Sequence, residues 1–160
     1  MKYTAASFGD FRCSYCHNIV SVAHLLSSVN NRNHCPYCLW SCHLDLFAAG
    51  DRLSACKGQM KPIGLTMKKS RNRYRLEARG ELMLVHECIE CKSLSINRIA
   101  ADDDSDSIMD VFHESLLNGY QIGARSEGFG IILLNIEDIE IVHRQLFGQN
   151  AEISVLAWGE

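Results

Sequence analysis

Eight cysteines set the chemistry open to this 160-residue chain. Six form three C-x-x-C pairs, Cys13/Cys16, Cys35/Cys38 and Cys88/Cys91, while Cys42 and Cys56 stand alone. A C-x-x-C turn delivers two thiolates from one tight knuckle. Zinc takes four tetrahedral thiolate or imidazole ligands, so two knuckles close one site. Eighteen residues separate Cys16 from Cys35, within the spacing of a C-x2-C…C-x2-C zinc site. Cys13, Cys16, Cys35 and Cys38 are therefore expected to hold one zinc ion. A second site needs Cys88 and Cys91 plus two more ligands. Cys56 is one; the other is Cys42 or His43, because neighbouring residues rarely both reach one ion. An all-cysteine site carries two net negative charges and a three-cysteine, one-histidine site carries one. Spacing alone leaves that choice open.

Other chemistries fit these residues less well. Cys35-Pro36-Tyr37-Cys38 also reads as a glutaredoxin-type dithiol. Such a redox motif belongs near a βαβ pattern, whereas this one follows Asn30-Asn31-Arg32-Asn33 and sits among metal-spaced cysteines. A zinc deaminase needs H-x-E followed by P-C-x-x-C, and the chain has Cys-Pro in the reverse order. A zinc site with four protein ligands leaves no open position for catalysis. No G-x-S-x-G, P-loop or G-x-G-x-x-G occurs. The expectation is a non-enzymatic protein, with thiol-redox chemistry at Cys35/Cys38 as the enzymatic alternative.

Charge is unevenly distributed. Residues 1–100 carry 14 Lys and Arg against 7 Asp and Glu, a net of +7; residues 101–160 carry 2 against 12, a net of −10. A basic front of this kind suits a nucleic-acid partner. Its densest stretch is Lys57, Lys61, Lys68, Lys69, Arg71, Arg73, Arg75 and Arg79. On a strand, Arg71, Arg73 and Arg75 share one face, and a row of guanidiniums suits phosphates. Lys68, Lys69, Arg71, Arg73 and Arg75 are the expected nucleic-acid contacts, and a solvated hairpin is the bland alternative. Trp40, just after the second pair, suits either base stacking or packing on the knuckle.

The elements that position these residues are short. Ile63 to Met67, Tyr74 to Ala78 and Leu82 to His86 read as strands, with Gly80 at a hairpin turn. Val20 to Val29 is apolar on a helical period. A few short strands around knuckle turns describe a zinc ribbon whose metal supplies much of the folding free energy. After the acidic run Asp102-Asp103-Asp104-Ser105-Asp106, Ser107 is a candidate helix cap with Asp110 three residues on, and Gly119 a candidate end. Phe129 to Leu134 reads as a buried strand. Asn135 caps a second helix to about Leu146, stopped by Gly148, and Ile153 to Trp158 reads as a last strand.

Several residues invite a role without a motif to support it. His17 and His34 adjoin ligand cysteines and are placed to donate to the thiolates. His86, two residues before Cys88, is a weaker alternative ligand. Asp102, Asp103, Asp104 and Asp106 lack the order of a calcium loop and read as a solvated turn. No apolar run approaches the ~18–20 residues of a membrane span, and no secretory signal is visible. A cytoplasmic protein with reduced thiols is expected, which favours metal over disulfides.

The run from Arg32 to Ser41 (RNHCPYCLWS), followed by His43, Asp45, Gly50-Asp51-Arg52, Cys56, Gly58, Met60 and Pro62-Ile63, resembles the bacterial RNHCP domain family. Cys88-Ile89-Glu90-Cys91 and Asn97 to Asp103 look like that family's closing segment. The resemblance spans about Phe8 to Asp104. Two departures are Ala49, where the family usually has proline, and Lys92, where it usually has glycine. The resemblance implies a bacterial zinc-binding domain and assigns the second site to His43, Cys56, Cys88 and Cys91. It implies no enzyme activity.

Together these readings give an α+β protein. A zinc-ribbon-like domain with short antiparallel strands and two zinc knuckle sites occupies 8–104, and an acidic α/β extension occupies 105–160. It carries two zinc ions and is expected to bind RNA or the ribosome through a basic hairpin. The alternative partner is a protein docked on the C-terminal extension; no membrane is involved.

Overall fold

The computed structural model describes residues 9–68 and 80–148, with the side chains of 119–122, 124 and 125 left out. Two small sheets carry the front of the chain. β1 (Phe11–Arg12) pairs antiparallel with β2 (Ile19–Val20). A four-stranded antiparallel sheet has the order β3-β4-β5-β6, from β3 (Ser41–Cys42), β4 (Gln59–Lys68), β5 (Glu81–Cys88) and β6 (Leu94–Arg98). The expected strands at 63–67 and 82–86 lie inside β4 and β5. These two pair from Met60↔Cys88 to Lys68↔Glu81, with a register shift between Pro62 and Gly64. Gly80, at φ +99°, precedes β5 in a conformation that glycine adopts without steric cost. The expected strand 74–78 lies outside the described residues, as does 153–158.

Helices cover this sheet. α1 is a single turn, His24–Ser27, not the longer helix that the apolar period of 20–29 suggests. Val20 is instead drawn into β2 and fully buried beside Cys13 and Cys35, and Ser28 in the left-handed region ends the turn. α2 (Ser105–Gly128) begins earlier and ends later than the sequence suggests. Its cap is Asp104, whose carboxylate accepts from the Ser107 backbone N–H at 2.9 Å, so Ser107 lies inside the helix. Gly119 does not end it, because one internal glycine costs only about 1 kcal/mol. A capping box at Asn135 starts a 3-10 turn, Ile136–Asp138, that leads into α3 (Ile139–Phe147), and Gly148 at φ +89° stops it.

Residues 129–134 form no strand, contrary to the pattern. Phe129, Gly130 and Ile131 are used up closing α2, through hydrogen bonds to Ser126 and Glu127 carbonyls. What remains lies along β4 with one ladder-like bond, Leu134 N–H to the Leu65 carbonyl at 2.9 Å, and the Thr66 hydroxyl donating to the Ile132 carbonyl.

Leu39, Leu65, Leu82, Leu84, Ile108, Met109, Phe112 and Val142 form one buried cluster that joins knuckle, sheet, α2 and α3. Each large side chain so buried contributes about 1.5–3 kcal/mol. α2 lies close over β4. A Cβ on Gly64 would stand 3.0 Å from Leu133 and 3.3 Å from Ser115, so glycine permits the approach. The fold is thus a mixed α+β arrangement with short antiparallel strands and a helical C-terminal part. Among the described residues no helix is long and apolar enough to cross a membrane.

Candidate metal centres

All three C-x-x-C pairs are built the same way. The residue before the first cysteine pairs with the residue three after the second: Arg12↔Ile19, His34↔Ser41 and Glu87↔Leu94. Inside each hairpin the first cysteine's carbonyl accepts from the N–H four residues on: Cys13 from His17 at 3.0 Å, Cys35 from Leu39 at 2.9 Å and Cys88 from Lys92 at 3.0 Å. The three donating residues, His17, Leu39 and Lys92, all sit in the left-handed region, at φ 63°, 62° and 63°. The first cysteine's N–H closes the turn onto Asn18, Trp40 or Ser93, each at 2.9 Å. Lys92 thus occupies the kind of position that glycine fills without a Cβ penalty.

The knuckles meet in two quartets. Cys13, Cys16, Cys35 and Cys38 bring their sulfurs within 4.8 Å of one another, and so do the ligand atoms of His43, Cys56, Cys88 and Cys91. Cys13 Sγ lies 3.6 Å from Cys38 Sγ, and Cys16 Sγ 3.5 Å from Cys35 Sγ. In the second group Cys56 and Cys88 sulfurs are 3.7 Å apart, and Cys91 Sγ is 3.3 Å from His43 Nδ1. A disulfide would need about 2.05 Å. A tetrahedral zinc with Zn–S bonds of about 2.3 Å spaces its sulfurs about 3.8 Å apart, so these groups fit one ion each. Gly58 admits the second group: a Cβ there would stand 2.9 Å from Cys88 Sγ. Cys42 stays outside, its thiol 3.4 Å from the Lys57 carbonyl.

Four thiols this close cannot all ionise unaided. Burial pushes Cys35 up to about 11, and it raises Cys38 as well. Burial also acts on Cys16, but the Asn18 backbone N–H and neighbouring thiols outweigh it and hold Cys16 at about 7. Hydrogen bonds from Ser93 hold Cys91 at about 6. Each quartet thus holds a readily ionised thiol, Cys16 in one and Cys91 in the other, and a bound cation would draw the proton from Cys35 and Cys38 as well. The centres differ in exposure: Cys13 and Cys35 are buried, whereas Cys56 and Cys91 are exposed. Cys35 and Cys38 each face the other knuckle's sulfurs.

Donors to the sulfurs are not the expected histidines. Tyr15 N–H approaches Cys13 Sγ and Asn18 Nδ2 approaches Cys16 Sγ, both at 3.4 Å. His34 turns away, its Nε2 donating to Asp103 at 2.7 Å. His86 is no ligand either. It is buried, Nε2 donates to the Leu39 carbonyl at 2.7 Å, and Asn97 donates to Nδ1 at 2.9 Å.

The acidic run is not a solvated turn. Asp103 is buried and accepts from the Ala100 N–H, His34 and Arg32. Arg32 also pairs with Asp102 at 2.8 Å and donates from Nε to the His34 carbonyl. Asp104 N–H donates to the Pro36 carbonyl and Ser107 Oγ to that of Tyr37, so the start of α2 hangs on the second knuckle. Asn33 donates to Asp45, which also holds the Gly50 and Arg52 N–H groups. Sequence reasoning missed this clamp. Its one available signal is coarse: Arg32 lies in the basic part of the chain, and Asp102 and Asp103 open the acidic part.

Lys68 is exposed at the end of β4; Lys69, Arg71, Arg73 and Arg75 lie outside the described residues. Trp40 stacks on Tyr15, ring centroids 4.0 Å apart and planes 3° from parallel.

The fold and its two quartets define a class: an α+β protein with a pair of four-ligand Cys/His centres that could each hold a metal ion. The RNHCP domain model matches residues 8–109, and the chain belongs to this family. Neither the curated proteins nor the solved structures provide a match.

Proposed function

We infer that this is a zinc-stabilised, non-enzymatic protein that binds RNA, free or in the ribosome, through its basic front. Each quartet is assigned one zinc ion: the sulfur spacings suit tetrahedral coordination, and a histidine in the second favours zinc over iron. Four protein ligands fill each ion, which leaves no place for a substrate. Buried Cys35 with a raised pKa is the opposite of an attacking thiol. The observation that carries the RNA reading is the charge split, +7 over residues 1–100 against −10 over 101–160. Lys68, Lys69, Arg71, Arg73 and Arg75 are the proposed phosphate contacts. Binding to a labelled RNA, titrated between 50 and 200 mM salt, tests it. Five phosphate contacts would weaken binding about 100- to 500-fold over that range, and a flat response overturns the reading.

A second reading is favoured by a different observation. Leu117 and Ile132 on the acidic C-terminal part are 84 % and 75 % exposed. These side chains suit a protein partner. The test is Leu117→Glu with Ile132→Glu, which leaves the buried cluster intact. Loss of a co-purifying protein supports this reading, and retention rejects it.

A further inference from the structure

We propose that the stacked Tyr15–Trp40 pair is a platform for a base of single-stranded RNA; this rests on the RNA reading above and places the base-contacting surface at the first quartet. Tyr15 lies inside the first knuckle and Trp40 follows the second, so the two turns that build one metal centre also build the stack. The rings are 4.0 Å apart and 3° from parallel, the face-to-face geometry that a nucleobase adopts on an aromatic side chain. Trp40 covers one face of Tyr15, which nevertheless stays 51 % exposed. A base laid on the outer face continues the stack.

The platform is held rigid. Tyr15 N–H is bound to Cys13 Sγ, and the Trp40 carbonyl accepts from Cys35 N–H at 2.9 Å. Gln59 Nε2 donates to the Ser14 carbonyl at 2.9 Å and ties the knuckle to β4. A ring fixed before binding loses little freedom on binding. Cations flank it. Arg12 immediately precedes Cys13, and Lys57 lies two residues before Gln59. Both are exposed and carry no ion pair among the described residues. This charge suits a phosphate chain rather than an apolar partner. A paired base has no free face, so the platform selects single strands over duplex.

The test uses the zinc-loaded full chain with Trp158→Phe, which leaves Trp40 as the fluorophore. The probes are an oligouridine and an RNA duplex, each roughly 12 units long, within the span of known single-strand grooves. The expected result is quenching by oligouridine, binding weakened about 5- to 100-fold in Tyr15→Leu with an unchanged salt slope, and near-normal binding in Tyr15→Phe. Metal content checks that each variant is folded. Wild-type affinity in Tyr15→Leu, or binding to duplex only, overturns the platform and leaves the RNA reading standing. Binding of neither probe overturns both.

Discussion

Asp103 makes the sharpest claim about stability. Its side chain is 0 % exposed, and it holds the Ala100 N–H and His34 Nε2, each at 2.7 Å, and Arg32 Nη2 at 3.3 Å. The Arg32 side chain is 1 % exposed, so its charge has almost no water to fall back on. Asp103→Ala leaves a buried guanidinium under-neutralised and two buried donors unpaired. Breaking a buried pair in this way costs about 3–5 kcal/mol. Asp102 is the internal control: it binds the same guanidinium at 2.8 Å, but its side chain is 30 % exposed, so Asp102→Ala should cost about 1 kcal/mol. Urea unfolding of the metal-loaded protein measures both. With m near 2–3 kcal/mol/M, Asp103→Ala should lower the midpoint by roughly 1–2 M and Asp102→Ala by less than about 0.5 M. Arg32→Met combined with Asp103→Leu removes charge from both sides and should recover part of the loss. Equal effects at 102 and 103, or an Asp103→Ala loss under about 1 kcal/mol, would refute the clamp.

Other outcomes follow from the same geometry. Cys13→Ser and Cys56→Ser should each reduce zinc content from two ions per chain to one, while Cys42→Ser keeps both, as read by elemental analysis. A chelator should empty the exposed His43/Cys56/Cys88/Cys91 centre before the buried one, followed by whether Cys56 or Cys13 becomes alkylated first. Burial drives His86 from 6.5 down to about 3, so the unfolded chain takes up a proton that the folded one refuses. Stability from this source is whole above pH 6.5 and falls by about 1.4 kcal/mol per unit as pH drops toward 3. His86→Gln should therefore show a shallower acid slope than wild type at fixed metal. Lys92→Gly, at φ 63°, should stabilise by about 0.5–1 kcal/mol in thermal or urea unfolding, and a loss would show that the Lys92–Glu87 contact at 3.7 Å matters more.

What is local was legible in the order of residues. Each knuckle is closed by hydrogen bonds spanning only a few residues, so the three C-x-x-C pairs announce their own turns. The strands within 59–68 and 81–88 and the Asn135 cap follow from alternation and side-chain chemistry over similarly short stretches. Which distant groups meet depended on the folded chain. Arg32 and Asp103 are 71 positions apart, and nothing near either residue marks the pairing. His34 had a thiolate beside it in sequence, yet a buried carboxylate competed for its proton and won. Residues 129–134 have a strand's composition but no free ladder to join, because α2 uses the first three and β4 accepts only one backbone bond. His43 rather than Cys42 faces Cys88 and Cys91 because β3 pairs Cys42 with Gln59 and its thiol turns to the Lys57 carbonyl. A short segment can encode its own hydrogen bonds, but the partner of a buried charge or a metal ligand depends on which surfaces the chain brings together.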